Sequence, residues 1–169
     1  MVIPKQPFCK AIAKRKLTPL NDNTVIDGGD FYMTQKVLAI DDDPAMTELL
    51  TLLLKTHGYN VLTANTGEEG VKIAREDSPD VIILDLMMAG MDGWQVCTQI
   101  RTFSTVPILI ISALDSPGLA ASALDAGADD YLVKPISSGI LISHLNQLTR
   151  RTDMNNGIKF KPQTAPLSA

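Results

Sequence analysis

Histidine and cysteine are scarce in this 169-residue chain, with two of each, and aromatic residues make up only 5%. Cys9 and Cys97 stand far apart and belong to no metal-type or redox-type spacing. That excludes a thiolate zinc site or a CxxC redox pair, and it predicts two free thiols in a reducing cytoplasm. His57 and His144 both fall inside helical patterns rather than at a strand end, so neither is assigned a catalytic role. No run approaches the roughly 18 apolar residues of a membrane-spanning helix. The basic positions Lys5, Lys10, Lys14, Arg15 and Lys16 are followed by no apolar stretch of signal-peptide length. A soluble, cytoplasmic protein without membrane contact is predicted.

Positive charge is also thin where the chain is most regular. Residues 36–151 hold 8 basic and 15 acidic residues, a net −7 within a total of −4. Such a field repels nucleic acid, so direct binding to DNA or RNA is not expected. What is present is a strict alternation of apolar runs and helical patterns. Val37–Ile40, Val61–Ala64, Val81–Leu84, Ile108–Ile111 and Tyr131–Val133 read as strands. Helices are predicted over 44–57, 67–76, 93–101, 117–126 and 137–150, the first with Pro44 near its start and Gly58 past its end. Strands apolar on every residue and separated by helices form a parallel sheet covered on both faces. Five βα units in succession predict a doubly wound α/β fold of three layers, whose ligands sit at the carboxyl ends of the strands. The predicted partition is a weakly structured extension at 1–34, a domain at 35–152 and a flexible tail at 153–169. Met33 could serve as an alternative start.

Four of the five strand ends deliver polar groups to that edge: Asp41-Asp42-Asp43, Asp85, Ser112 and Lys134. Clustered carboxylates repel and need compensation, which a hard divalent cation with oxygen ligands supplies. A lysine adds a point charge suited to a phosphoryl oxygen, and a serine adds a hydroxyl. A carboxylate nucleophile, a metal, an ammonium and a hydroxyl form a phosphoryl-transfer site. Asp43 is better suited to capping the following helix than to ligation.

Four segments make this specific. They are Val37-Leu38-Ala39-Ile40-Asp41-Asp42-Asp43-Pro44, Leu84-Asp85-Leu86-Met87-Met88-Ala89-Gly90-Met91-Asp92-Gly93, Ile111-Ser112-Ala113 and Ala126-Gly127-Ala128-Asp129-Asp130-Tyr131-Leu132-Val133-Lys134-Pro135. In order and spacing they resemble the receiver (CheY-like) family of two-component response regulators, over about two thirds of the chain. The resemblance implies a flavodoxin-like (βα)5 sandwich with strand order 2-1-3-4-5. It implies that Asp85 accepts a phosphoryl group from a phosphohistidine of a sensor histidine kinase or histidine phosphotransfer protein. It further implies Mg²⁺ held by Asp42, Asp85 and the backbone carbonyl of Met87, with Asp41 acting through a water. Lys134 and Ser112 would contact the phosphoryl group, and Ser112 and Tyr131 would form a switch pair. Trp94 and the methionines near Asp85 read as packing residues.

Three departures from the family pattern stand out. Ala89 occupies a position where the family commonly has proline; it should free the local backbone and leave metal binding largely unchanged. The fourth helix carries no base, and Gly139, Ile140 and His144 fall where charged residues are frequent. That predicts an apolar patch around Ile140 for a partner, and a monomer or weak phosphorylation-dependent dimer. The tail after Arg151 is too short for a helix-turn-helix unit, so the expected output is a changed affinity for a downstream effector protein rather than an enzymatic activity. Two other readings compete. A haloacid-dehalogenase-type phosphatase would leave Asp85 on the third strand unexplained, and its D-x-D motif is not followed here by the usual residues. A pseudo-receiver would have no need for so repulsive a cluster.

Overall fold

The computed structural model describes residues 24–27 and 30–156, with side chains described for 34–150. Strands β1 (Thr24–Asp27) and β2 (Asp30–Met33) pair antiparallel, Asp27 opposite Asp30. Then follow β3 (Lys36–Ile40), α1 (Pro44–Thr56), β4 (Asn60–Ala64), α2 (Gly67–Asp77), β5 (Val81–Leu84), α3 (Gly93–Arg101), β6 (Ile108–Ser112), α4 (Pro117–Asp125), β7 (Asp130–Val133) and α5 (Ser138–Asn156). The five strands from β3 onward form one parallel sheet in the order β4-β3-β5-β6-β7. Numbered among themselves they run 2-1-3-4-5, as the resemblance implies. The hairpin was not foreseen, and α5 runs past the expected end at Arg150 to Asn156. The remaining parts of the predicted extension and tail lie outside the described residues.

Alternate residues of each strand serve opposite layers. Val37, Ala39, Val81, Ile83, Leu109 and Ile111 pack with Leu50 and Leu54 of α1 and with Leu141, Leu145 and Leu148 of α5. Leu38, Ile40, Ile82, Leu84, Ile108 and Ile110 pack with Ala74 of α2, Val96, Cys97 and Ile100 of α3, and Ala123 of α4. This two-sided burial is why the central strands run apolar through Val37–Ile40, Val81–Leu84 and Ile108–Ile111, whereas the half-buried edge strands β4 and β7 carry Asn60, Thr63 and Asp130. Truncating a buried leucine such as Leu54 to alanine would cost on the order of 2–5 kcal/mol.

Local signals set the helix starts. Asp43 caps α1 through its Oδ1, which accepts from the Ala45 amide at 2.9 Å. Thr66 caps α2 and Asp92 caps α3, the latter in a reciprocal capping box with Gln95. Gly93 opens α3 where only glycine fits: a Cβ there would lie 2.4 Å from the Asp85 carbonyl oxygen. Close packing at this point fixes the loop after β5 against the helix that follows it. The sequence order turns back on itself between β3 and β5, which send the chain to opposite sides of the sheet; in doubly wound folds ligands bind beyond the carboxyl ends of the strands at such a point. No described helix is long and apolar enough to cross a membrane.

Candidate phosphoryl-transfer site

Asp41 and Asp42 follow β3 directly, and Asp85 follows β5, the strand paired beside it. One carboxylate oxygen from each lies within 4.8 Å of the other two. Asp41 and Asp85 are 4% and 7% exposed, whereas Asp42 faces solvent. Lys134, just past β7, reaches the same place: its Nζ is 2.9 Å from Asp41 Oδ2 and 3.4 Å from Asp85 Oδ1. Four of the residues singled out from the sequence therefore meet at the carboxyl edge.

The protonation chemistry follows from that geometry. Burial holds the Asp85 carboxyl above the usual carboxylate range; Lys134 pulls it back and Asp41 pushes it further up, leaving a net upward shift. Burial works against the Lys134 ammonium, but the bond to Asp41 and the charges of Asp85 and Asp41 outweigh it, so its pKa rises. Both directions agree with the distances, because the ammonium sits closer to Asp41 and compensates Asp85 incompletely. Three carboxylates against one ammonium leave negative charge in a largely buried pocket. An all-oxygen donor set with excess negative charge suits a hard divalent cation, so the residues present fit a metal site.

Around this core the loops are tied by hydrogen bonds. Asp41 Oδ1 accepts from the Asp43 amide at 2.9 Å, and Asp42 Oδ2 accepts from the Ala89 amide at 2.9 Å. Met87 lies between Asp85 and Ala89 with its side chain 58% exposed, while Met88 is buried. Met91 and Trp94 pack partly buried against the core. Ser112 ends β6 fully buried, and its Oγ accepts from the Leu114 amide at 3.3 Å. Tyr131, half-buried on β7, donates its hydroxyl to the Leu114 carbonyl at 2.6 Å. The expected switch pair thus meets on one residue of the β6–α4 loop.

Several contributors escaped the sequence. Asn65, past β4, donates from Nδ2 to the Asp41 carbonyl at 2.9 Å and to Thr47 Oγ1 at 3.1 Å, steadying the acidic loop from behind. Arg101 clasps the Gly127, Ser104 and Val106 carbonyls and Asp129 Oδ2, joining the end of α3 to the entrances of β6 and β7. His144 is no bystander on the helix surface: its Nδ1 contacts Asp130 Oδ2, linking α5 to β7. Cys97 is a free, buried thiol whose pKa burial pushes up, with Arg101 opposing and Asp129 adding. Cys9 lies outside the described residues.

Comparison with known proteins agrees with this architecture. The sequence profile of the response regulator receiver domain matches residues 37–146. The response regulator MprA of Mycobacterium leprae is 44% identical over 118 residues, covering 69% of this chain and 52% of that protein. The transcriptional regulatory protein AfsQ1 of Streptomyces coelicolor is 40% identical over 115 residues, covering 68% and 51%. The chain spans about half the length of these curated relatives. Among solved structures, the chemotaxis protein CheY4 of Vibrio cholerae matches with a TM-score of 0.65 at 31% identity, over 68% of this chain and 98% of that one. The receiver domain of the Francisella response regulator 1452 matches with a TM-score of 0.67 at 34% identity, over 70% and 99%. With the strand order, the acidic cluster and the profile match in agreement, the chain belongs to the response regulator receiver family.

Proposed function

We propose that residues 35–152 form a phospho-accepting switch of a two-component or phosphorelay pathway in the cytoplasm, with Asp85 as the acceptor. The observation that carries this reading is Lys134 Nζ, placed within 3.4 Å of Asp85 in a cluster of three carboxylates. A carboxylate oxygen of Asp85 attacks the phosphorus of a phosphohistidine on a sensor kinase or histidine phosphotransfer protein. The P–N bond breaks, and the imidazole leaves with the electron pair and takes up a proton. Mg²⁺, when bound, neutralises the carboxylates and the phosphoryl oxygens during transfer. Asp42, Asp85 and the Met87 carbonyl would hold it, with Asp41 acting through a water.

Lys134 keeps an ammonium beside the phosphoryl oxygens, and Ser112 gives a hydroxyl to them. Engagement of Ser112 releases the Leu114 amide it now accepts from, and Tyr131 follows because its hydroxyl is bonded to the same residue. Hydrolysis of the acyl phosphate by water at the same site resets the switch. The changed face alters affinity for an effector protein, the domain being a monomer or weak phosphorylation-dependent dimer that does not itself bind nucleic acid.

The test is transfer from a radiolabelled phosphohistidine kinase. Label is expected on this chain with Mg²⁺, and neither with EDTA nor on Asp85→Asn. Undiminished labelling of Asp85→Asn would overturn the assignment.

A further inference from the structure

Asp42 is the exposed member of the acidic cluster, and its position needs an explanation. Asp41 is held by the Lys134 ammonium and the Asp43 amide, and Asp85 is buried within reach of the same ammonium. Asp42 has neither burial nor a cation to hold it among the described residues. Two neighbouring carboxylates repel it, and an exposed aspartate has rotamers that would carry its charge away into water. Its ligand oxygen nevertheless lies within 4.8 Å of those of Asp41 and Asp85. The bond that accounts for this is the 2.9 Å contact from the Ala89 amide to Asp42 Oδ2, which joins the loop after β3 to the loop after β5.

We propose that the Ala89 N–H is a positioning group for the divalent cation, holding Asp42 in the ligand cluster before the ion arrives. The proposal rests on the reading of the acidic cluster as a metal site. A carboxylate oxygen keeps lone pairs free after accepting one N–H, so the bond and ligation are compatible. Preset ligands spare the ion the cost of ordering an exposed side chain against repulsion. The device depends on residue 89 not being proline, since proline has no N–H to give. It runs against the expectation that Ala89 leaves metal binding largely unchanged, because the amide contacts Asp42 directly. Gly90, at φ +79°, turns the chain immediately afterwards in a conformation glycine adopts without strain.

The experiment is calorimetric Mg²⁺ titration of the whole chain in four forms: unaltered, Ala89→Gly, Ala89→Pro, and a backbone ester made by incorporating lactic acid at position 89. Ala89→Gly keeps the N–H and should bind within about twofold of the unaltered chain, whereas Ala89→Pro and the ester should bind roughly three- to tenfold more weakly. The ester removes the donor without imposing the proline ring, so it decides the matter if Ala89→Pro distorts the loop. A second readout needs no metal. In ¹H–¹⁵N spectra recorded in EDTA, Asp42→Ala should shift the Ala89 amide and speed its exchange with solvent. Mg²⁺ affinity unchanged in the ester, or an Ala89 amide indifferent to Asp42→Ala, would overturn the proposal while leaving the metal site intact. An unaltered chain that binds no Mg²⁺ would overturn the site reading itself, and this proposal with it.

Discussion

Lys134 makes its shorter contact with Asp41, Nζ to Oδ2 at 2.9 Å, and stands 3.4 Å from Asp85. The ammonium is thus engaged chiefly by the aspartate that does not accept the phosphoryl group in the reading above. Asp85 is left buried, repelled by Asp41 and only partly compensated. A pocket built this way keeps the Asp85 carboxylate poorly satisfied until positive charge arrives.

That arrangement has a cost in stability. Removing the Asp85 charge in metal-free buffer should stabilise the fold, because the folded state disfavours the ionised carboxyl at neutral pH. Asp85→Asn is expected to gain on the order of 1 kcal/mol in urea unfolding with EDTA present. Saturating Mg²⁺ should narrow the gap, since it binds and stabilises the folded Asp85 form. A destabilised Asp85→Asn in EDTA would show that Lys134 compensates Asp85 fully.

Tyr131 and Ser112 meet at Leu114, which would make the β6–α4 loop the mechanical element of the proposed switch. Tyr131→Phe deletes the hydroxyl that donates to the Leu114 carbonyl. It should cost about 1 kcal/mol and raise hydrogen exchange at residues 114–116, while leaving exchange in β3 and β5 unchanged. Uniform exchange changes across the sheet would mean that Tyr131 serves only as packing.

Asn65 supports the acidic loop from outside the cluster. Asn65→Ala removes the donor to the Asp41 carbonyl and to Thr47 Oγ1, both in partly buried surroundings. A loss of roughly 1–2 kcal/mol is expected in urea unfolding. Thr47→Ser, which keeps the hydroxyl acceptor, should lose less. Equal losses in the two variants would assign the effect to packing rather than to the bond.

Tyr59 gives the fold an alkaline limit. Burial pushes its phenol up to about 12, and its hydroxyl donates to Asn146 Oδ1 at 3.2 Å across α5. The neutral phenol is the form the fold favours, so its contribution is complete below the ordinary tyrosine pKa of about 10 and is lost as pH rises towards about 12. Stability should therefore fall across that window, by on the order of 2 kcal/mol at its upper end, and Tyr59→Phe should flatten the fall. Absorbance of tyrosinate would show one of the three tyrosines ionising late. A tyrosine spectrum titrating wholly near pH 10 would contradict this.

The parallel sheet was legible because burial on both faces of the central strands leaves apolar runs such as Val81–Leu84 and Ile108–Ile111 that admit few other readings. The site residues were legible because they sit where each apolar run stops. The hairpin was not, although Asp27-Gly28-Gly29-Asp30 between Val25-Ile26 and Phe31-Tyr32 is a two-residue turn signal that could have been noticed. The end of α5 was set too early: no glycine or proline interrupts the chain between Arg150 and Gly157, and the helix continues to Asn156. Contacts such as Ala89 to Asp42 and Asn65 to Asp41 join residues distant in the chain through backbone groups. No residue pattern encodes them, and only the folded geometry brings them together.

The most direct measurement is the chemical location of the phosphoryl group. The chain is treated with acetyl phosphate and Mg²⁺, the acyl phosphate is trapped by borohydride reduction, and the modified peptide is sequenced by mass spectrometry. The account predicts reduction at Asp85 alone, abolished by EDTA and absent from Asp85→Asn. Modification at Asp41 or Asp42, or a signal undiminished in Asp85→Asn, would contradict it.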